Sequence, residues 1–275
     1  LKLMFKKLGI IPTIIFVISV MLMSSAMTVI LYDQYMHKTT ANVIYTMDTT
    51  VEAMQTVPIE QNVLDIPHSA EAMVTAPHVL QYPELPRGCE ITSLTMLLQY
   101  SGLDVDKLKL AEEMKKDTTP LVRNKSGEIA YWGNPNVGFV GNITLNEPGF
   151  GIYHAALFPL LQSYMPSAVD LTGKSFAELE KQVADGIPVV VWTTVEYNNP
   201  TDWVIWDTDL GPIRTTFKEH AVLLVGYDED HVYINDPLKK QFPVKVDKEQ
   251  FIVSWNVMGK QALSYENNDK DEDNV

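Results

Sequence analysis

The 275-residue sequence contains one cysteine, Cys89, so no intrachain disulfide can form and zinc or iron–sulfur sites built on several cysteines are excluded. Basic residues are also scarce. There are 21 Lys plus Arg against 35 Asp plus Glu, a formal net charge of −14, and a nucleic-acid partner, whose phosphates need a basic patch, is not expected. The composition lacks the marks of disorder: apolar residues make up 46% and charged residues 20%, which is enough to build a core. No complete phosphate-binding loop is present. Gly173-Lys174-Ser175 matches the end of one, but Ala168 stands where its first glycine belongs, so no nucleotide is expected and Ser175 reads as a helix cap.

The first positive feature is a run without charge. From Leu8 to Tyr32 the chain is dominated by Ile, Val, Leu, Met and Phe. As a helix, Leu8 to Leu31 would extend roughly 36 Å at about 1.5 Å per residue, enough to cross a hydrocarbon core of about 30 Å. Residues 1–32 are therefore expected to form a transmembrane anchor. Lys2, Lys6 and Lys7 would hold the N-terminus in the cytoplasm and leave the rest extracytoplasmic. Ser24-Ser25-Ala26 offers the alternative of a cleaved signal segment and secretion. Residues 33–77, punctuated by Pro58, Pro67 and Pro77, read as a spacer, residues 78–265 as one domain, and residues 266–275 as a solvated acidic tail.

Within the domain the pattern predicts helices at 89–100, 104–116, 154–164, 175–185 and 247–258. Ser175 with Glu178 forms a capping box for the fourth, and Gly186 and Pro188 mark its end. Strands are predicted where β-branched residues cluster, at 188–194, 220–227, 231–235, 242–246 and 261–265. Helices come first and most strands later, an α+β order. Between them, residues 195–219 read as a long connection carrying Trp203 and Trp206, with Tyr197 and Trp192 beside it; these aromatics would either meet substrate or pack the connection down.

Cys89 follows Gly88 at the predicted start of a helix, where the dipole and unpaired backbone N–H groups favour a thiolate and so a nucleophile. Taken alone, a lone cysteine is more often a small buried hydrophobe. A second group changes the balance. His220 begins one predicted strand and Asp236 ends the next, with a turn at Asp228-Glu229-Asp230 between them. A hairpin folded there sets residue 220 opposite a position near 236, so the carboxylate can orient the imidazole. His220 follows Cys89 by 131 residues, the papain-like order of nucleophile on an early helix and base far downstream. His154 is a rival base, but with no Asp close by in sequence it reads as a cap or a pocket wall. Asn142-Ile143-Thr144 fits a glycosylation sequon that nothing else supports.

The segments Gln81-Tyr82-Pro83-Glu84-Leu85-Pro86-Arg87-Gly88-Cys89-Glu90, Gly138 to Asn142, Gly149 to Tyr153, Glu219 to Tyr227 and Tyr233 to Pro237 resemble the C39-like peptidase family. That family is a papain-fold group related to the bacteriocin leader-processing peptidases. The resemblance covers nearly all of residues 78–265. It implies a helical part carrying Cys89 as nucleophile and an antiparallel sheet carrying His220 as general base and acid and Asp236 as its orienter. Papain-like enzymes place an oxyanion-hole Gln about six residues before the Cys. Here that position is Pro83, which makes Gln81 the candidate donor beside the Cys89 N–H. Leader peptidases proper follow the Cys with Gly and are fused to an exporter ATPase; Glu90 stands there instead and the sequence shows no ATPase, so leader processing is not the expected task.

The sequence thus leads to an anchored, extracytoplasmic cysteine peptidase or amide hydrolase that acts on a peptide or protein through a thioester, without metal or organic cofactor. Acyl transfer on the same residues and an inactive papain-fold binding module of the cell envelope are the alternatives.

Overall fold

The computed structural model describes residues 69–267. The expected anchor at 1–32, most of the expected spacer and most of the acidic tail lie outside the described residues. Among the described residues, no helix is long and apolar enough to cross a membrane.

In chain order the elements are β1 (Ala72–Met73), α1 (Cys89–Tyr100), α2 (Lys107–Glu113), β2 (Lys116–Asp117), β3 (Val122–Arg123), β4 (Ile129–Tyr131), β5 (Phe139–Val140), α3 (His154–Tyr164), β6 (Ala168–Asp170), α4 (Phe176–Ala184) and β7 (Val189–Thr194). They continue with β8 (Trp203–Trp206), β9 (Ile213–Thr216), β10 (Glu219–Tyr227), β11 (His231–Asn235), β12 (Val244–Asp247), α5 (Lys248–Val257) and β13 (Ala262–Tyr265). The main sheet runs β12-β11-β10-β7-β13-β6, with β1 joined to the far end of β10. All its pairings are antiparallel.

Alternation along β7 and β10 makes this sheet the middle of three layers. Trp192, Ala221, Leu223 and Val225 face a core shared with α1, α2 and α3, whereas Val191, Val222 and Leu224 face one shared with α4 and α5. Because both faces are covered, β10 is buried at all nine positions. That is why its sequence reads as an almost continuous apolar run. The α1 helix is buried from Cys89 through Leu98. Its threonine hydroxyls bond back into their own helix, Thr92 Oγ1 to Gly88 O at 2.7 Å and Thr95 Oγ1 to Ile91 O at 2.8 Å, so the helix carries them into the core without orphaned donors.

Several local expectations are corrected. The fold begins before His78: Ala72 and Met73 pair with Tyr227 and Gly226, and Val74 N–H donates to Val225 O at 2.8 Å. The helix expected at 104–116 covers only Lys107–Glu113, because Asp106 caps it by accepting from Leu108 and Lys109 N–H, and Met114 is already extended. Ser175 sits at an N-cap position but its side chain makes no cap bond; its carbonyl accepts from Glu178 N–H at 3.1 Å. The connection at 195–219 is a hairpin, β8 with β9, whose pairs run from Trp203↔Thr216 to Trp206↔Ile213. Trp206 is buried and donates to Gly133 O, and Trp192 donates to Ile152 O, so both pack the structure down. Trp203 lies under the Arg214 guanidinium, 3.8 Å from its carbon.

Candidate active site

Cys89 opens α1 directly after Gly88, where no side chain caps the helix. A Cβ on Gly88 would lie 2.7 Å from Leu85 Cβ, so the close turn into the helix admits only glycine. The turn is closed by Leu85 N–H to Gln81 O and Gly88 N–H to Leu85 O, both 2.9 Å. The helix is fixed on β10 by Ser93 Oγ, which donates to Ala221 O at 3.1 Å. This puts the helix start beside the first residues of β10.

The segment that leads to Cys89 is also tied to the loop after β11. Asn235 Nδ2 donates to Ala76 O and Pro77 O, Gln81 N–H to Pro237 O at 3.0 Å, and His78 Nε2 to Asp236 O at 3.0 Å. The expected β10–β11 hairpin is present, with Leu223 opposite Asn235. It brings His220 Nε2 to 2.7 Å from Asp236 Oδ1, with both side chains almost fully buried. Tyr197, whose φ of 54° lies in the left-handed region, donates its hydroxyl to the other oxygen, Oδ2. Leu238 N–H adds a bond to Oδ1 at 2.8 Å. Burial pushes the Asp236 carboxyl up, but the bonds from His220, Tyr197 and Leu238 outweigh it and hold the pKa down at about 2. The ionised carboxylate can only accept, so His220 Nε2 is the donor in this bond.

The surroundings of Cys89 are acidic. Its thiol donates to Glu90 Oε2 at 3.3 Å, Glu90 Oε1 accepts from Ile152 N–H at 2.8 Å, and Glu219 approaches from β10. One ligand atom from each of Cys89, Glu90 and Glu219 lies within 4.8 Å of the others. Burial pushes the Cys89 thiol well above its usual range, and the two carboxylates add to this; only the Ala221 backbone N–H works the other way. The thiolate expected from the helix N-terminus is opposed here by burial first and by the two neighbouring carboxyl groups. Burial likewise raises both glutamates, and Glu219 is raised further by Glu90.

Strand alternation separates the two groups. Glu219 and Ala221 face α1 and Cys89, while His220 shares the opposite side with Val222 and Asp236. Among the described residues the Cys89 thiol bonds to Glu90 and makes no hydrogen bond with His220. Gln81, the expected oxyanion donor, is buried in the turn before Cys89. Its Nε2 donates to Pro86 O at 2.7 Å and its Oε1 has no partner. His154 heads α3 and does have an acidic partner, Asp170 on β6, with Nδ1 2.9 Å from Oδ2. That pair comes from the packing of β6 beside α3 and could not be read from neighbouring residues.

Three residues of the site escape the sequence reading. Glu90 and Glu219 carried a signal: each is a carboxylate set into an otherwise apolar buried segment, one beside the Cys and the other beside the His. Tyr197 stood out only as an aromatic beside the long connection, and its bond to Asp236, 39 residues away, carried no signal.

Comparison with known proteins places this arrangement. The uncharacterized protein YvpB of Bacillus subtilis (strain 168) is 40% identical over 182 residues, which are 66% of this chain and 70% of that protein. A crystal structure from Bacillus anthracis, provisionally described as a C39-like peptidase, matches with a TM-score of 0.66 and 48% identity, covering 72% of this chain and 98% of its own. The model of the Peptidase_C39 like family matches residues 70–263, beginning ahead of the boundary expected at His78 and spanning the helix of Cys89, the hairpin of His220 and the loop of Asp236. The chain belongs to the Peptidase_C39 like family.

Proposed function

We propose that the protein is a cysteine peptidase or amide hydrolase in which Cys89, His220 and Asp236 act together. The observation that carries this reading is the buried His220–Asp236 pair at 2.7 Å, on a loop bonded through Asp236 O and Pro237 O to the segment that ends in Cys89. An imidazole oriented by a carboxylate has its other nitrogen ready as a general base, and here that nitrogen is Nδ1. In the resting state the thiol is protonated and turned to Glu90. The reaction requires the sulfur to leave Glu90 and meet His220, which faces the other side of β10, so the start of α1 must shift against the end of that strand. Nδ1 takes the thiol proton, the sulfur attacks the substrate carbonyl, and the imidazolium returns the proton to the leaving amine. Water, deprotonated by His220, then cleaves the thioester. The Cys89 N–H and the second amide hydrogen of Gln81 are the proposed oxyanion donors.

The substrate is proposed to be a peptide or protein, met outside the cytoplasm by a domain anchored through residues 1–32. The anchor rests on the uncharged run from Leu8 to Tyr32. Fractionation of cells, followed by protease treatment of intact cells, tests it: release of the protein without membranes would overturn it. Hydrolysis of a peptide library tests the chemistry. Wild type is expected to cleave, with Cys89→Ala and His220→Ala reduced to background. Cleavage by Cys89→Ala at the wild-type rate would sink the reading.

A further inference from the structure

Besides the proposed catalytic pair, the acidic cluster around Cys89 is built in a way that hydrolysis does not require. From the geometry we infer that Cys89 Sγ, Glu90 Oε2 and a Glu219 carboxylate oxygen form a three-ligand site for a zinc-class divalent cation, with a fourth position left for water.

Two observations meet here. One is position: a thiol and two carboxylates from α1 and β10, nearly or fully buried, have a ligand atom each within 4.8 Å of one another. A tetrahedral zinc with bonds of about 2.0 to 2.3 Å sets its ligand atoms roughly 3.5 Å apart, so side-chain rotations of an ångström or so close the site. The other is an unmet acceptor. Glu219 is 8% exposed and its Oε1 has no hydrogen-bond partner, an expensive state for a buried carboxylate. Glu90 is arranged differently. Its Oε1 is fixed by Ile152 N–H, leaving Oε2, to which the thiol now donates, as the ligand oxygen. Gly151 makes the space, since a Cβ there would lie 2.3 Å from Glu90 Oε1 and 3.1 Å from Glu219 Oε2.

One thiolate with two carboxylates is a mixed soft and hard donor set, which suits Zn²⁺ or Co²⁺ and disfavours Ca²⁺ and Mg²⁺. On binding, the S–H bond breaks, the sulfur–metal bond forms and the thiol proton leaves to buffer, as does any proton held by the two carboxyls. The bound ion also supplies the positive charge that the cluster lacks. Its effect on activity rests on the hydrolase reading: a thiolate held by metal cannot attack a carbonyl, so the cation would be a reversible inhibitor. The binding itself does not rest on that reading.

Titration of the full chain with Co²⁺ under a non-thiol reductant tests the site independently of activity. Expected are one equivalent bound, a near-ultraviolet sulfur-to-cobalt charge-transfer band, displacement by Zn²⁺ but not by Ca²⁺, and proton release. Cys89→Ala should remove the band, and Glu219→Gln and Glu90→Gln should each weaken binding more than tenfold. If Glu219→Gln fails to fold by circular dichroism, Glu90→Gln decides alone. Absence of the band, or unchanged affinity in a folded Gln variant, would overturn the site. If cobalt binds and peptide hydrolysis is absent without metal, the site stands and the hydrolase reading fails.

Discussion

Tyr197 donates its hydroxyl to Asp236 Oδ2 while His220 holds Oδ1, so the two residues grip one carboxylate from opposite sides. Tyr197 lies in the turn after β7 and Asp236 in the loop after β11, and their bond ties the end of one strand to the end of another. The phenol keeps its proton, because burial and the Asp236 charge both push its pKa up. It is therefore a donor at any working pH. As a positioning residue it fixes the carboxylate that fixes the imidazole.

Tyr197→Phe removes that donor and little volume. The Asp236 pKa should rise from about 2 toward the ordinary value, and on the proposed mechanism kcat should fall about 3- to 30-fold with KM nearly unchanged, corresponding to loss of a hydrogen bond to a charged group. A pH–rate profile in which the acid limb stays where wild type has it would count against this role.

Asp236 also sets an acid limit on stability. Its folded pKa lies below the ordinary value of 3.8, so the ionised form stabilises the fold above that value and the contribution is lost as pH falls from about 4 to about 2. Urea unfolding of wild type should weaken across that window, and Asp236→Asn should flatten the dependence. Equal slopes in the two proteins would exclude Asp236 as the source.

Glu219 works in the opposite direction. Its folded pKa is raised by burial and by Glu90, so its contribution is fully present below the ordinary value of 4.5 and is lost as pH rises. Glu219→Gln keeps the shape and removes the charge, and its Tm advantage over wild type should grow between pH 5 and pH 8. Each kcal/mol recovered corresponds to about 2–4 °C for a domain of this size. A Tm difference that shrinks with rising pH would be contrary to the assignment.

The same substitution should make Cys89 more reactive. With one carboxylate gone from beside the sulfur, the pH midpoint of iodoacetamide alkylation should fall, while in wild type it should lie above the ordinary midpoint near 8.5. Rapid alkylation of the metal-free wild type at pH 6 would show a thiolate that the buried acidic setting opposes.

Gly151→Ala places a methyl against Glu90 and Glu219. Overpacking of this kind costs about 1–3 kcal/mol, and chemical denaturation should show it as a lower midpoint with an unchanged m-value. A neutral effect would mean that the two carboxylates move aside freely.

Much of this protein was legible in the sequence because the signals were local or periodic. Gly88 ahead of an apolar helical pattern marks the start of α1, and an unbroken apolar run marks β10, since a strand covered on both faces has no polar side to show. The turn Asp228–Asp230 makes β10 and β11 a hairpin, and its register alone brings His220 to Asp236. What the sequence could not show depends on which way side chains face and how dry their surroundings are. Alternation turns Glu219 toward Cys89 and His220 away from it, and the packing of α1 on β10 removes the water that would have solvated a thiolate. Short strands such as β2 to β5 carry too few residues to display a period. Tyr197 and Asp236 meet only after several strands have paired, and His154 and Asp170 only once β6 packs beside α3. The chain order of Cys89, His220 and Asp236 was thus written in the sequence, whereas the carboxylates gathered around Cys89 and the burial that disfavours its thiolate exist only once the layers have closed.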